Sequence, residues 1–324
     1  MATSYDSYGK RAGEIFRKLR KEKGLSQEQV SRCKDISGYI CSEDTIRRFE
    51  KSGKFPSVEI LTNLLYVIGV DYVNFMSMVE GVRMLEFRNH FDTIWKKGFT
   101  ERFQEMKEDV EVLKTRPYCN MDNPIIQQAI LLCKGLFQRR IDKNPEQCLE
   151  TLRAALCITT DGIIKKQGGI DYNAIMNRVL TLNEYRILNT IANQTGEQNN
   201  EYLAIQILKS MTISLNNEIV DNVTRDEILP IVYYNLSDSY INNKNFQDGF
   251  DACEKGITFC KANNVLKMLG ELTYNKGKSL HLMGRIDEAI EYFKSSYEIF
   301  VSVDNRIMLK RVKDKAKEKY NLLL

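Results

Sequence analysis

Residues 233–250, YYNLSDSYINNKNFQDGF, can be laid over residues 273–290, TYNKGKSLHLMGRIDEAI, without a gap. Tyr234 then stands over Tyr274, Asn235 over Asn275, Ser237 over Gly277 and Gly249 over Ala289. Self-similarity at a fixed period marks an array of small units, each unable to bury its apolar face alone and therefore stacked on its neighbours. A third copy runs from Glu184 to Asn193 and resumes from Tyr202 to Leu208, and its Ala192 and Ala204 are twelve apart, like Gly277 and Ala289. Weaker pairs cover 124–157, divided near Asn144-Pro145, and 84–114, divided near Gly98. The charged segment Arg306 to Tyr320 is expected to cap the stack.

Composition agrees with such a stack. Five prolines in 324 residues leave 146–229 and 231–324 free of proline, which suits long helices because interior proline breaks them. The predicted fold class is all-α. At roughly 150 residues per domain the chain holds about two domains, and 43% hydrophobic with 28% charged residues excludes a disordered or low-complexity chain.

The helix pairs resemble the tetratricopeptide repeat, in which small residues at fixed points let two helices cross closely. Gly277, Ala289 and the Asp287-Glu288-Ala289-Ile290 run match it well, while Ser237 and Gly249 are looser substitutes. The offset is 40 residues rather than about 34 and no closing proline occurs, so each second helix is expected to be longer than standard. The resemblance implies a right-handed α-solenoid whose concave face suits an extended peptide. Positions three or four apart on each first helix share a face. That selects Arg186, Asn189 and Asn193, then Tyr234, Asn235 and Asp238, then Asn275 and Lys278 as the peptide-binding candidates. One asparagine amide can both donate to and accept from a peptide backbone. Any one of these positions could equally be an ordinary solvated polar residue; their recurrence in three repeats favours binding for the group.

The charge is unevenly placed. Residues 1–70 hold 13 Lys/Arg against 9 Asp/Glu, and the rest of the chain is balanced, so the whole formal excess of +4 lies in the first fifth. There Ala12, Ile15, Phe16 and Leu19 form one helical stripe ended by Gly24. Ser26 and Gln29 make a capping box that opens a short helix, and Ser42 starts another with Glu43 and Asp44 in its first turn. A basic turn, Lys51 to Ser57, leads to a fourth helix with Val58, Leu61, Leu64, Leu65 and Ile68 inward and Gly69 as its stop.

Two adjacent capped starts among short basic helices describe a helix-turn-helix. Residues 10–70 resemble the XRE-type DNA-binding domain, in the order S-Q-E-x-x, S-x-x-T-I-x-R-x-E, G-x-x-x-P-S. The stretch from Gln27 to Glu50 is about five residues longer than the compact form of that family, so Arg32 to Cys41 is expected to make a longer turn bending at Gly38. The resemblance implies that Gln27 touches the DNA backbone, that Glu43, Asp44, Thr45 and Arg48 face base edges, and that Arg47, Lys51 and Lys54 hold phosphates. For Glu43 and Asp44, capping the helix is an equal alternative. Arg20 is expected to pair with Glu50 as a structural element rather than contact DNA.

Other chemistry is thin. Eight cysteines form no C-x-x-C pair, His90 and His281 stand alone, and no nucleophile-base set or phosphate loop occurs, so no enzyme, metal or cofactor is expected. The cysteines are expected to be buried thiols, with Cys253 and Cys260 on one helix face. No apolar run approaches a membrane span and the N-terminus lacks the apolar stretch of a signal peptide, so a cytoplasmic protein is expected.

The combination of the two parts is similar to the RRNPP regulators of the Rgg, PlcR, NprR and PrgX types. It implies a quorum-sensing transcriptional regulator, a homodimer whose partners are double-stranded promoter DNA and a short signalling peptide. The corresponding organisation is a DNA-binding domain over 1–70, a linker helix over 71–90 with its methionines in core packing, and a repeat domain over 91–324. A peptide-independent XRE-type repressor, or a solenoid that sequesters another regulator, are the alternatives.

Overall fold

The computed structural model describes residues 4–32 and 39–320. Cys33 and the expected bend at Gly38 lie outside the described residues, and so does the side chain of Val82. The described residues are helical, and their sole strand-like feature is a bridge between Ile164 and Ile170. They form two compact units, Met1–Trp95 with Val112–Cys119, and Lys96–Glu111 with Asn120–Leu324. Among the described residues no single helix is long and apolar enough to cross a membrane.

The first unit opens with α1 (Ser4–Glu22), α2 (Gln27–Ser31), α3 (Glu43–Ser52) and α4 (Val58–Ile68). Their ends follow the cap chemistry of the sequence. Ser26 and Gln29 close a capping box on α2, Ser42 accepts from the Thr45 amide, and Gly53 and Gly69 end α3 and α4 in left-handed conformations that a side chain would strain. Ala12, Phe16, Val30, Ile46, Phe49, Leu61, Leu64, Leu65 and Ile68 build one core. Helix α1 lies directly on the backbone of α3. A Cβ at Gly13 would stand 2.1 Å from the Phe49 carbonyl oxygen, and one at Gly9 would stand 2.3 Å from the Gly53 oxygen, so only glycine permits this approach.

Beneath the same core lies a charged group. Arg20 donates from Nε and Nη2 to Glu50 at 2.6 and 2.9 Å, and from Nη1 to the Leu25 carbonyl at 2.6 Å. The two side chains are 8% and 2% exposed. The expected Arg20–Glu50 pairing is therefore present, and Gln27 joins it by donating to the same carboxylate at 2.8 Å.

Helix α5 runs Tyr72–Phe99 without interruption at 90. Phe75 and Val79 enter the core of the first unit and Met76 packs against it. Met78, expected in core packing, is instead 45% exposed. Further along the helix, His90 stacks on Tyr118 and accepts or donates a hydrogen bond at 2.8 Å through Nδ1.

The second unit is a stack of helix pairs: after α6 (Phe103–Lys114) come α7 (Pro124–Arg140) with α8 (Pro145–Cys157), a short α9 (Tyr172–Met176), then α10 (Leu182–Glu197) with α11 (Glu201–Leu215). They are followed by α12 (Asn222–Asn242) with α13 (Phe246–Ala262), α14 (Leu269–Leu282) with α15 (Ile286–Ser302), and α16 (Arg306–Tyr320). Neighbouring first helices α7, α10, α12 and α14 touch in sequence, as in a solenoid. The small residues sit at the crossings. A Cβ on Gly277 would lie 3.1 Å from the Ala289 carbonyl, and one on Gly249 would lie 3.2 Å from that of Ser237. The extra length of the 40-residue period is shared between the 17-residue α13 and the connection 263–268, so it is not all in the second helix as expected. Cys41, Cys119, Cys133, Cys148, Cys253 and Cys260 are buried free thiols; Cys157 departs from the expectation and is exposed.

Candidate functional site

The inner wall of the second unit encloses a cavity of about 770 Å³. Helix α7 contributes Arg139 and Arg140, α10 Asn193 and Glu197, and α12 Tyr234, Asn235 and Asp238. A smaller cavity of about 190 Å³ shares Tyr234 and Asp238 with it and is completed by Glu271, Tyr274, Asn275 and Lys278 of α14 and Arg311 of α16.

Bonds between successive repeats shape this wall. Asn235 donates to Asn189 at 2.7 Å, Asn275 donates to the Ser237 hydroxyl at 3.0 Å, and Lys278 pairs with Asp238 at 2.9 Å. Arg139 grips Glu197 through two nitrogens at 2.9 and 2.7 Å, and Arg140 reaches the same carboxylate at 3.5 Å. Burial alone would raise the Glu197 carboxyl, but the bond and charge of Arg139, with Arg140, bring it below the usual value. Arg140 is lowered by burial and by its neighbour Arg139. Burial also pushes the Tyr234 phenol up, helped by the carboxylates of Asp238 and Glu271.

Against this frame of bonded groups, several polar atoms on the wall are uncommitted. The Asn193 amide and the Tyr234 hydroxyl have no hydrogen-bond partner among the described residues, and Asn235 keeps its carbonyl oxygen available. A row of half-buried amide and hydroxyl groups can pair with the backbone of an extended chain.

The eight residues singled out for peptide binding thus fall into three situations. Asn193, Tyr234, Asn235 and Asp238 line the large cavity, and Tyr234, Asp238, Asn275 and Lys278 line the small one. Asn189 supports Asn235 through its hydrogen bond. Arg186 is only 5% exposed and is committed to Glu227, which Lys267 also approaches at 3.8 Å. Burial alone would raise the Glu227 carboxyl, and the Arg186 charge brings it below its usual value.

In the first unit, α3 presents Glu43, Arg47, Arg48 and Lys51 to solvent, with Lys54 exposed just beyond it. Thr45 shares a 2.9 Å hydrogen bond with the capping Ser42. Asp44 bonds both Arg47 and Arg48, the latter at 2.7 Å, and the bond from Arg47 leads the causes that hold its carboxyl below the usual range. Gln27 differs from the others in being tied to the buried Arg20–Glu50 group.

Residues 168–323 match the family model described as the RNPP family C-terminal domain. Solved structures share the fold along nearly the whole length. PlcR of Bacillus thuringiensis, in complex with the peptide PapR7 and DNA, is 19% identical with a TM-score of 0.70, over 94% of this chain and 99% of that one. The Streptococcus dysgalactiae SHP pheromone receptor Rgg2 gives 13% and 0.58 over 95% and 99%. ComR of S. thermophilus, in complex with DNA and its signalling peptide ComS, gives 12% and 0.57 over 94% and 97%. These likenesses are of fold, and no curated protein sequence matches the chain.

Most of the cavity wall lies within the matched residues 168–323, while Arg139 and Arg140 come from α7 ahead of them. Sequence reasoning passed over these arginines, along with Glu197, Glu201, Asn242 and Glu271. It sampled the middle of each first helix, whereas the large cavity is lined in addition by the last turn of α7, α10 and α12 and by the start of α11. A signal was available, since polar or charged residues crowd those turns in all three repeats: Arg139-Arg140, Asn193 to Glu201, and Ser239 to Asn243.

Proposed function

We propose that this chain is a cytoplasmic transcriptional regulator that binds promoter DNA through α2 and α3 as a homodimer and is controlled by a short signalling peptide held in the large cavity. The observation that carries the reading is the row formed by Asn193, Tyr234 and Asn235. These half-buried side chains keep the Asn193 amide, the Tyr234 hydroxyl and the Asn235 carbonyl oxygen uncommitted in a cavity within the roughly 300–1,000 Å³ of ligand sites, in the region that matches the RNPP C-terminal model. The peptide and DNA bound to PlcR and ComR support the same assignment.

In this reading residues 1–70 are the DNA-binding domain, residues 71–90 the linker and residues 91–324 the peptide-binding repeats. Arg48, with Thr45 and Glu43, reads base edges, and Arg47, Lys51 and Lys54 hold phosphates. Asp44 is the organiser of the two arginines, and Gln27 reaches the backbone from its anchorage on Glu50. Two DNA-binding domains in a dimer read half-sites at a fixed spacing. The bonds Asn235–Asn189, Asn275–Ser237 and Lys278–Asp238 tie repeat to repeat, so a peptide that competes for them changes the pitch of the solenoid and with it the favoured DNA-binding state.

The test is DNA binding by the full chain, followed by fluorescence anisotropy on its own promoter region, with and without synthetic peptides encoded by the adjacent reading frames. Affinity is expected to change at least tenfold with one such peptide, and Asn193→Ala with Tyr234→Phe is expected to abolish that response without touching binding in its absence. Identical DNA binding with every peptide, together with no peptide bound, sinks the reading.

A further inference from the structure

The small cavity is a side pocket. It shares Tyr234 and Asp238 with the large one, and at about 190 Å³ it is below the roughly 300–1,000 Å³ that accommodates a whole ligand, which leaves room for one side chain or one terminus. Its charges are mostly spoken for. Asp238 is paired with Lys278 at 2.9 Å. Arg311 holds Glu101 through contacts of 2.7 Å to both oxygens, and Lys315 lies 5.9 Å over the Tyr274 ring. Both cations sit on the solvent side, where salt screens them.

Glu271 is the exception. It lines the pocket half-buried, and no described residue gives its carboxylate an ion pair or a side-chain hydrogen bond. A carboxylate withdrawn from water without a cation is costly and is normally compensated. The phenol ring of Tyr234 on the same wall supplies a further face that attracts cations.

From this arrangement we infer that the peptide carries a positively charged group, a lysine or arginine side chain or its free amino terminus, which enters the side pocket and pairs with Glu271. The inference rests on the peptide-binding reading above and adds to it the charge of the ligand and the residue that selects it. Burial raises the Glu271 carboxyl above its usual value and outweighs the hydrogen bond from its own backbone N–H, in keeping with an acid that has no cation beside it. Glu271 is then a specificity residue, while the Asn193, Tyr234 and Asn235 row supplies affinity that does not depend on charge.

The experiment uses the full chain and two pools of synthetic heptapeptides, randomised over Leu, Ile, Val, Phe and Ser. Each position in turn is fixed as lysine in one pool and norleucine in the other, with amino termini free or acetylated, and bound peptides are recovered and identified by mass spectrometry. A preference of at least tenfold for lysine at one position, or for the free terminus, is expected with the wild-type chain. Glu271→Gln is expected to erase that preference while still retaining neutral peptides, and Glu271→Lys to turn it toward aspartate and glutamate. Peptides bound with no charge preference, or a preference unchanged in Glu271→Gln, overturn the inference and leave peptide binding intact. No heptapeptide retained by any form of the chain removes the peptide-binding reading and this inference together.

Discussion

The buried Arg20–Glu50 group offers the sharpest test of how the first unit is held. Glu50 accepts three hydrogen bonds, two from Arg20 and one from Gln27, with 2% of its side chain exposed. Glu50→Gln keeps the volume but removes the charge and turns an amide N–H toward donors, so Arg20 is left buried with its charge uncompensated. Breaking one partner of a buried pair costs about 3–5 kcal/mol, a larger effect than any surface pair produces. At roughly 1.4 kcal/mol per decade, the slowest amides of α1 and α3 should exchange about a hundred- to several thousand-fold faster. Hydrogen exchange followed by mass spectrometry on the full chain reads these helices separately from the second unit. Arg20→Met combined with Glu50→Met leaves no charge stranded and should recover most of the loss, since apolar replacement of a whole buried pair is often close to neutral. A change below tenfold in Glu50→Gln, or a double substitution as costly as the two singles added, refutes the assignment of the pair as a coupled structural unit.

Other expectations follow from single contacts. Gly277→Val places its Cβ 2.9 Å from the Phe293 ring and 3.1 Å from the Ala289 carbonyl, so it should destabilise the second unit by about 1–3 kcal/mol in urea unfolding. The Glu197 carboxyl is held below its ordinary value, so its stabilisation is complete above that value and is lost as pH falls beneath it. Glu197→Gln should flatten the acid limb of the stability profile below about pH 4.5. Glu271 has the opposite sign: its raised value makes ionisation costly as pH rises above the ordinary value, so Glu271→Gln should melt higher than wild type at pH 7, with the advantage gone at pH 3. Lys51→Ala should weaken DNA binding about equally on all sequences and reduce the slope of log affinity against log salt by about one, whereas Arg48→Ala should relax preference at one base position.

The architecture was legible in the sequence because its signals are local. Caps at Ser26 and Ser42, left-handed stops at Gly24 and Gly69, and small residues at 277 and 289 act within a turn or across one crossing, where spacing alone carries the information. The binding wall was harder to read because helical periodicity finds a face but does not say who already occupies it. Arg186 was on the selected face and is consumed by Glu227, while Arg139 and Glu197 meet across 58 residues of sequence that no local pattern links. Met78 illustrates the same limit from the other side, since an apolar residue one turn from the core is 45% exposed.

The contact of Gly9 and Gly13 with the backbone of Phe49 and Gly53 has an evolutionary consequence. Helix α1 fixes the place of α3 through backbone atoms, and the end of the segment that leads into α3 is held as well, since the Ile40 N–H donates to the Ser31 carbonyl at 2.9 Å and Cys41 is buried in the core. A side chain at either glycine would push α3 away from α1, and with it Arg47 and Arg48. The constraint on divergence of this face therefore falls on two glycines of a neighbouring helix.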